Sequence, residues 1–103
     1  VGVCVLVPSG HPLTGRGGQP LRVEDLADQT VVYPPLLPIR RTARRVPNAR
    51  RVRVADFPAV ARQVASGLGL GLYPDHPVHT RPACRLYGLR AVPLAAATRL
   101  QLC

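Results

Sequence analysis

One hundred and three residues suffice for one compact domain with a limited core. Hydrophobic residues at 47% and charged residues at 18% exclude a disordered chain, and no apolar run reaches the roughly 18 residues of a membrane span. All fourteen basic residues are Arg against five acids, a net charge of +9 that permits polyanion binding. Arg without Lys, beside abundant Ala, Pro and Gly, also fits a high-GC codon bias, which is the simpler reading.

In chain order, Val1 to Val7 is a continuous aliphatic run ended by Pro8-Ser9-Gly10, which predicts a buried strand. His11 to Pro20 has no periodicity and predicts a loop. Val23 to Ala27 predicts a short helical turn, with its acids early. Thr30 to Tyr33 is a second strand, closed by Pro34-Pro35. From Pro38 to Val46, Ile39, Ala43 and Val46 form one apolar stripe at i, i+4 and i+7, which predicts a helix. Arg51 to Val54 alternates as a short strand does. Asp56 is placed to cap a helix carrying Phe57, Val60, Ala61 and Val64, and Gly67 to close it in a left-handed conformation. Leu68 to Tyr73 predicts a strand, Asp75 to Cys84 an irregular segment in which Pro77 bars a helix, and Leu89 to Leu94 and Thr98 to Leu102 two further strands.

The order from Thr30 to Tyr73 is therefore β-α-β-α-β, an α/β class with a parallel sheet and right-handed crossovers. Cys4, Cys84 and Cys103 lie far apart and form no C-x-x-C pair, which argues against a disulfide framework or a zinc site. Cys4, inside an apolar strand, reads as a small buried hydrophobe in a reduced, cytoplasmic setting. The first residues show no signal-peptide layout, and both ends stop in strand-like sequence, as a piece of a longer chain would.

Four segments, in this order, resemble the substrate-binding domain of LysR-type transcription regulators. They are Val5-Leu6-Val7-Pro8 leading into Ser9-Gly10-His11-Pro12-Leu13; Leu21 to Asp28; Val64-Ala65-Ser66-Gly67-Leu68-Gly69-Leu70-Gly71-Leu72-Tyr73-Pro74; and Leu89 to Leu94. Each motif is weak alone, and their order and spacing carry the resemblance. It implies a periplasmic-binding-protein-like (type 2) architecture of two α/β lobes joined by crossover strands. Residues 8–91 would be the second lobe, with 1–7 and 92–103 the crossovers and a remnant of the first. It implies a small-molecule effector, an organic anion among the candidates, and a homo-oligomer in the intact regulator. DNA would be reached only through a helix-turn-helix domain outside this chain, and neither a membrane nor a cofactor is implied.

Ligands of open α/β folds bind at the carboxyl ends of strands. On this sequence the resemblance places the effector against Ser9, Gly10, Pro34, Pro35, Asp56, Pro74 and His76. Ser9 would be the hydroxyl donor, and Pro35 and Pro74 would shape the wall; equally, these prolines simply end strands. Arg40 or Arg41, near the start of the helix after Pro34-Pro35, could join backbone N–H groups in holding a carboxylate.

Other constellations carry less. Gly67-x-Gly69-x-Gly71 follows a helix and precedes a strand, the reverse of a dinucleotide-binding turn. His76 and His79 beside Asp75 suggest a metal, but with Pro77 barring a helix they read as solvated loop histidines. Ser9 and Ser66 lack a nucleophile context, so no catalytic set emerges. The seven arginines from Arg40 to Arg53 lack the interleaved aromatics of single-strand binders, and four of them fall on the solvent side of a helix. A periplasmic-type solute receptor and a truncated, inactive remnant stay open beside the regulator, and an enzyme of the same fold lacks its residues.

Overall fold

The computed structural model describes residues 2–11 and 21–94. The strand expected over Thr98 to Leu102, most of the loop expected over His11 to Pro20, and Cys103 lie outside these residues. In order come β1 (Val3–Pro8), a 3-10 turn (Val23–Leu26), β2 (Thr30–Tyr33), α1 (Leu37–Arg45), β3 (Arg50–Arg53), α2 (Phe57–Ala65), β4 (Leu70–Pro74), α3 (Pro77–Tyr87) and β5 (Leu89–Pro93).

The five strands form one sheet in the order β3-β2-β4-β1-β5. Strands β2, β3 and β4 are parallel, as the β-α-β-α-β pattern predicts. Strand β1 runs antiparallel to both β4 and β5. Its residues alternate between two cores. Val5 and Val7 pack with Leu21, Leu26, Val31, Ile39, Ala43 and Val46 beneath α1 and the 3-10 turn. Cys4 and Leu6 pack with Val32, Val60, Ala61, Val64, Tyr73, Ala83 and Leu89 beneath α2 and α3. A strand covered on both faces needs an unbroken apolar run, which explains the opening sequence.

Helix α1 buries its stripe at Ile39, Ala43 and Val46, with Ile39 and Ala43 inside the helix and Val46 at its C-cap. The last carbonyls of a helix have few partners within it. The Arg51 guanidinium donates to the carbonyls of Ala43 at 2.8 Å, Arg44 at 3.1 Å and Val46 at 2.9 Å, and so closes the helix from the neighbouring strand. Helix α2 begins as expected, the Asp56 carboxylate accepting from the Ala59 N–H at 2.9 Å. It ends at Gly67, whose φ of 90° is the left-handed closure the sequence predicts. Gly71 has a different role: a Cβ there would lie 2.7 Å from Val64 Cγ2 and 2.8 Å from Val60 Cγ1, so its bareness lets α2 lie directly on β4.

One expected element is corrected. Asp75 to Cys84 is not irregular, because Pro77 opens α3 instead of preventing it. At the first helical position proline gives up an N–H that would have no partner in any case. His76 is the N-cap, its Nδ1 accepting from the Val78 N–H at 3.2 Å, and Gly88 at φ 67° ends the helix.

Two measurements test this packing. Gly71→Ala should destabilise the fold by about 1–3 kcal/mol through overpacking against Val60 and Val64, read from urea denaturation. Burial above all, then the charge of Asp75, pushes the Cys4 thiol from 9.0 up to about 12. A folded value raised above the unfolded one stabilises fully below pH 9.0 and ceases to as pH climbs towards about 12. Iodoacetamide at pH 8 should therefore leave Cys4 unmodified in the native chain and alkylate it in urea, and stability should fall above pH 9.

Candidate functional site

Three strands deliver their carboxyl ends to one edge of the sheet, and a helix begins there each time. After β2 come Tyr33-Pro34-Pro35 and the start of α1; after β3, Ala55-Asp56 and the start of α2; after β4, Pro74-Asp75-His76 and the start of α3. Because β1 is antiparallel, its first residues share this edge: the Asp75 N–H donates to the Gly2 carbonyl at 3.0 Å. Strand β5 finishes here too, with the Leu94 N–H donating to the Val3 carbonyl at 3.2 Å.

Six of the residues singled out in the sequence come together at or behind this edge: Pro34, Pro35, Arg40, Asp56, Pro74 and His76. Pro34 and Pro74 are buried, whereas Pro35, Arg40, Asp56 and His76 are exposed. Ser9 and Gly10 do not join them. Treating every strand's carboxyl end as part of one edge fails for β1, whose six residues carry Ser9 and Gly10 about 17 Å to the far side. There the Ser9 hydroxyl donates to the Gly88 carbonyl at 2.8 Å, tying the loop after β1 to the end of α3.

The three helix starts differ in what they leave available. At α2 the Asp56 carboxylate takes the Ala59 N–H, and at α3 the His76 Nδ1 takes the Val78 N–H. At α1 the N-cap is Leu36, which offers no side-chain acceptor, and Pro38 has no N–H. The Leu37 and Ile39 N–H groups thus have no acceptor among the described residues, while Arg40 and Arg41 follow within one turn. Unpaired first-turn donors, the positive end of the helix dipole and two guanidinium forks together suit an anion. His76 adds a further donor: with Nδ1 accepting, the neutral imidazole carries its proton on Nε2.

The histidine pair is also corrected. His76 and His79 do not lie in an irregular loop; they sit three residues apart at the start of a helix, ring centroids 6.2 Å apart. His79 packs edge-on against Phe57 at 5.1 Å, and Phe57 in turn lies 5.6 Å from Tyr73. No group of three or more His, Cys, Asp or Glu is gathered as metal ligands would be among the described residues. Nor do the serines meet a base at this edge. Ser66 donates to the Gln63 carbonyl at 2.8 Å at the far end of α2 from Asp56, and Ser9 lies at the edge opposite His76. Sequence reasoning missed the Phe57–Tyr73–His79 cluster because it depends on α3; Pro77 at a helix start with Gly88 at its close was the signal that could have found it.

Among the described residues no helix is long and apolar enough to cross a membrane. Comparison with curated protein sequences finds no match. Among solved structures, the substrate-binding protein of an amino-acid ABC transporter superposes with a TM-score of 0.75 at 12% identity, covering 95% of this chain and 41% of that one. The BenM effector-binding domain with its effector benzoate superposes at 0.67 and 22% identity, covering 89% and 44%. The effector-binding domain of QuiR in complex with shikimate does so at 0.67 and 16%, covering 92% and 46%. The chain thus spans less than half the length of each, and what they share with it is a type 2 periplasmic-binding-protein-like fold. The family model of the LysR substrate binding domain matches residues 2–102. The chain belongs to the LysR substrate-binding domain family.

Proposed function

We propose that this chain is the second lobe of the effector-sensing domain of a LysR-type transcription regulator, with the ligand seated against the carboxyl edge of β2, β3 and β4. The family match over residues 2–102 carries the reading. In it, residues 8–91 form the lobe, and 1–7 and 92–103 supply the crossovers and a part of the first lobe. Strands β1 and β5 bring the chain to and from the ligand-facing edge side by side, which suits crossovers. The amino-acid transporter protein shares the fold, so the same edge would serve a solute receptor, but the family match favours the regulator.

The ligand is an organic anion. The open start of α1, with Arg40 and Arg41 close behind, favours a carboxylate, and Pro34, Pro35 and Pro74 give the wall its shape. Benzoate in BenM and shikimate in QuiR are both carboxylates, which supports this choice. Asp56 and His76 finish their own helices, and His76 Nε2 can donate to a ligand oxygen. No bond is made or broken. The effector binds one arrangement of the two lobes better than the other and shifts the population between them. In the cytoplasm that shift alters how a homo-oligomer holds DNA through its helix-turn-helix domains.

A carboxylate screen on the intact regulator, opened with benzoate and shikimate, identifies the ligand by thermal shift. Arg40→Ala with Arg41→Ala should then weaken it about tenfold or more in calorimetry, as loss of a charge-assisted fork does. Unchanged affinity would remove both arginines from the site.

A further inference from the structure

A cavity lies between α2 and α3, on the side of the sheet opposite α1, and runs inward from the starts of these two helices. It has a volume of about 300 Å³ and is walled by Phe57, Ala61, Tyr73, Val78, His79 and Leu86 among others. An apolar cavity of about 150 Å³ already admits benzene, so this one has room for one substituted ring and not for a helix or a peptide. No Asp, Glu or Arg lines it; Arg81 and Arg85 fall on the far flank of α3, across the ridge of Val78, Pro82 and Leu86. The rings of Phe57, Tyr73 and His79 stand in tilted and edge-on contact, a fixed aromatic wall.

One polar group in this wall is incomplete. Tyr73 is only 4% exposed, and its hydroxyl makes no hydrogen bond to any described residue. A buried hydroxyl without a partner is costly and uncommon. A guest that fits this cavity would bring an acceptor to that O–H and a flat face to Phe57.

We propose that the α2–α3 cavity is a second ligand site, for a small uncharged aromatic molecule bearing a hydrogen-bond acceptor. It does not rest on the anion reading of the sheet edge, because it uses none of Pro34, Pro35, Arg40, Asp56, Pro74 or His76.

Acetophenone, its carbonyl-free isostere α-methylstyrene, and benzoate are the probes, titrated into the 103-residue chain and followed by amide chemical shifts. Acetophenone should bind with a Kd below about 1 mM, shift residues of α2, β4 and α3, and outbind α-methylstyrene about fivefold, as one neutral hydrogen bond allows. Tyr73→Phe should abolish that preference while leaving α-methylstyrene unaffected. Val78→Arg, at a position already 66% exposed and so tolerant of the change, should weaken acetophenone about tenfold by placing a charge on the wall. Circular dichroism confirms that each variant is folded. Equal binding of acetophenone and α-methylstyrene, benzoate binding at these same residues as tightly, a preference that survives Tyr73→Phe, or shifts confined to the start of α1 would each overturn the proposal.

Discussion

The structure turns on β1, a strand buried on both faces and held between β4 and β5. Its odd and even residues belong to different cores, so it is the wall the two halves share. Cys4, Val5, Leu6 and Val7 are each no more than 1% exposed. The antiparallel direction of this one strand also decides what surrounds the carboxyl edge of β2, β3 and β4: the start of β1 lies there, and its end lies at the far side. Packing and site geometry therefore have a common origin.

What could be read from sequence was local. The Asp56 cap, the Gly67 closure, the α1 stripe and the alternation in β3 each depend on chemistry within a few residues, and each is found where the pattern places it. Strand direction was harder, because an apolar run reads the same in both senses. The grouping of Ser9 and Gly10 with Pro34 and Pro74 failed for that reason. Pro77 misled in another way: proline bars a helix interior and favours a helix start, and only the cap from His76 and the glycine at 88 tell which applies. The unpartnered donors of α1 were legible in part, since Pro38 was expected in the first turn, but the lack of a capping side chain at Leu36 appears only in the fold.

Charge in this chain divides by role. Arg51 gathers the last carbonyls of α1 in a planar fork, its Nε and Nη2 groups reaching separate acceptors that lysine's compact ammonium would not span in the same way. Arg44 and Arg45 stand on the solvent side of the same helix. The composition uses Arg throughout, yet only geometry separates the guanidinium that holds a helix end from those that face water. A count of basic residues is silent on that division.

Strands β1 and β5 lie side by side, with Leu94 bonded to Val3, so residues from the two ends of the described chain meet in one ladder. Five registered pairs, from Cys4 with Pro93 to Pro8 with Leu89, must part for β5 to come away. Its loss would bare one edge of β1, the strand whose side chains enter both cores. Trimming the chain from its carboxyl side would therefore be felt on both faces of the sheet, not only at the end removed.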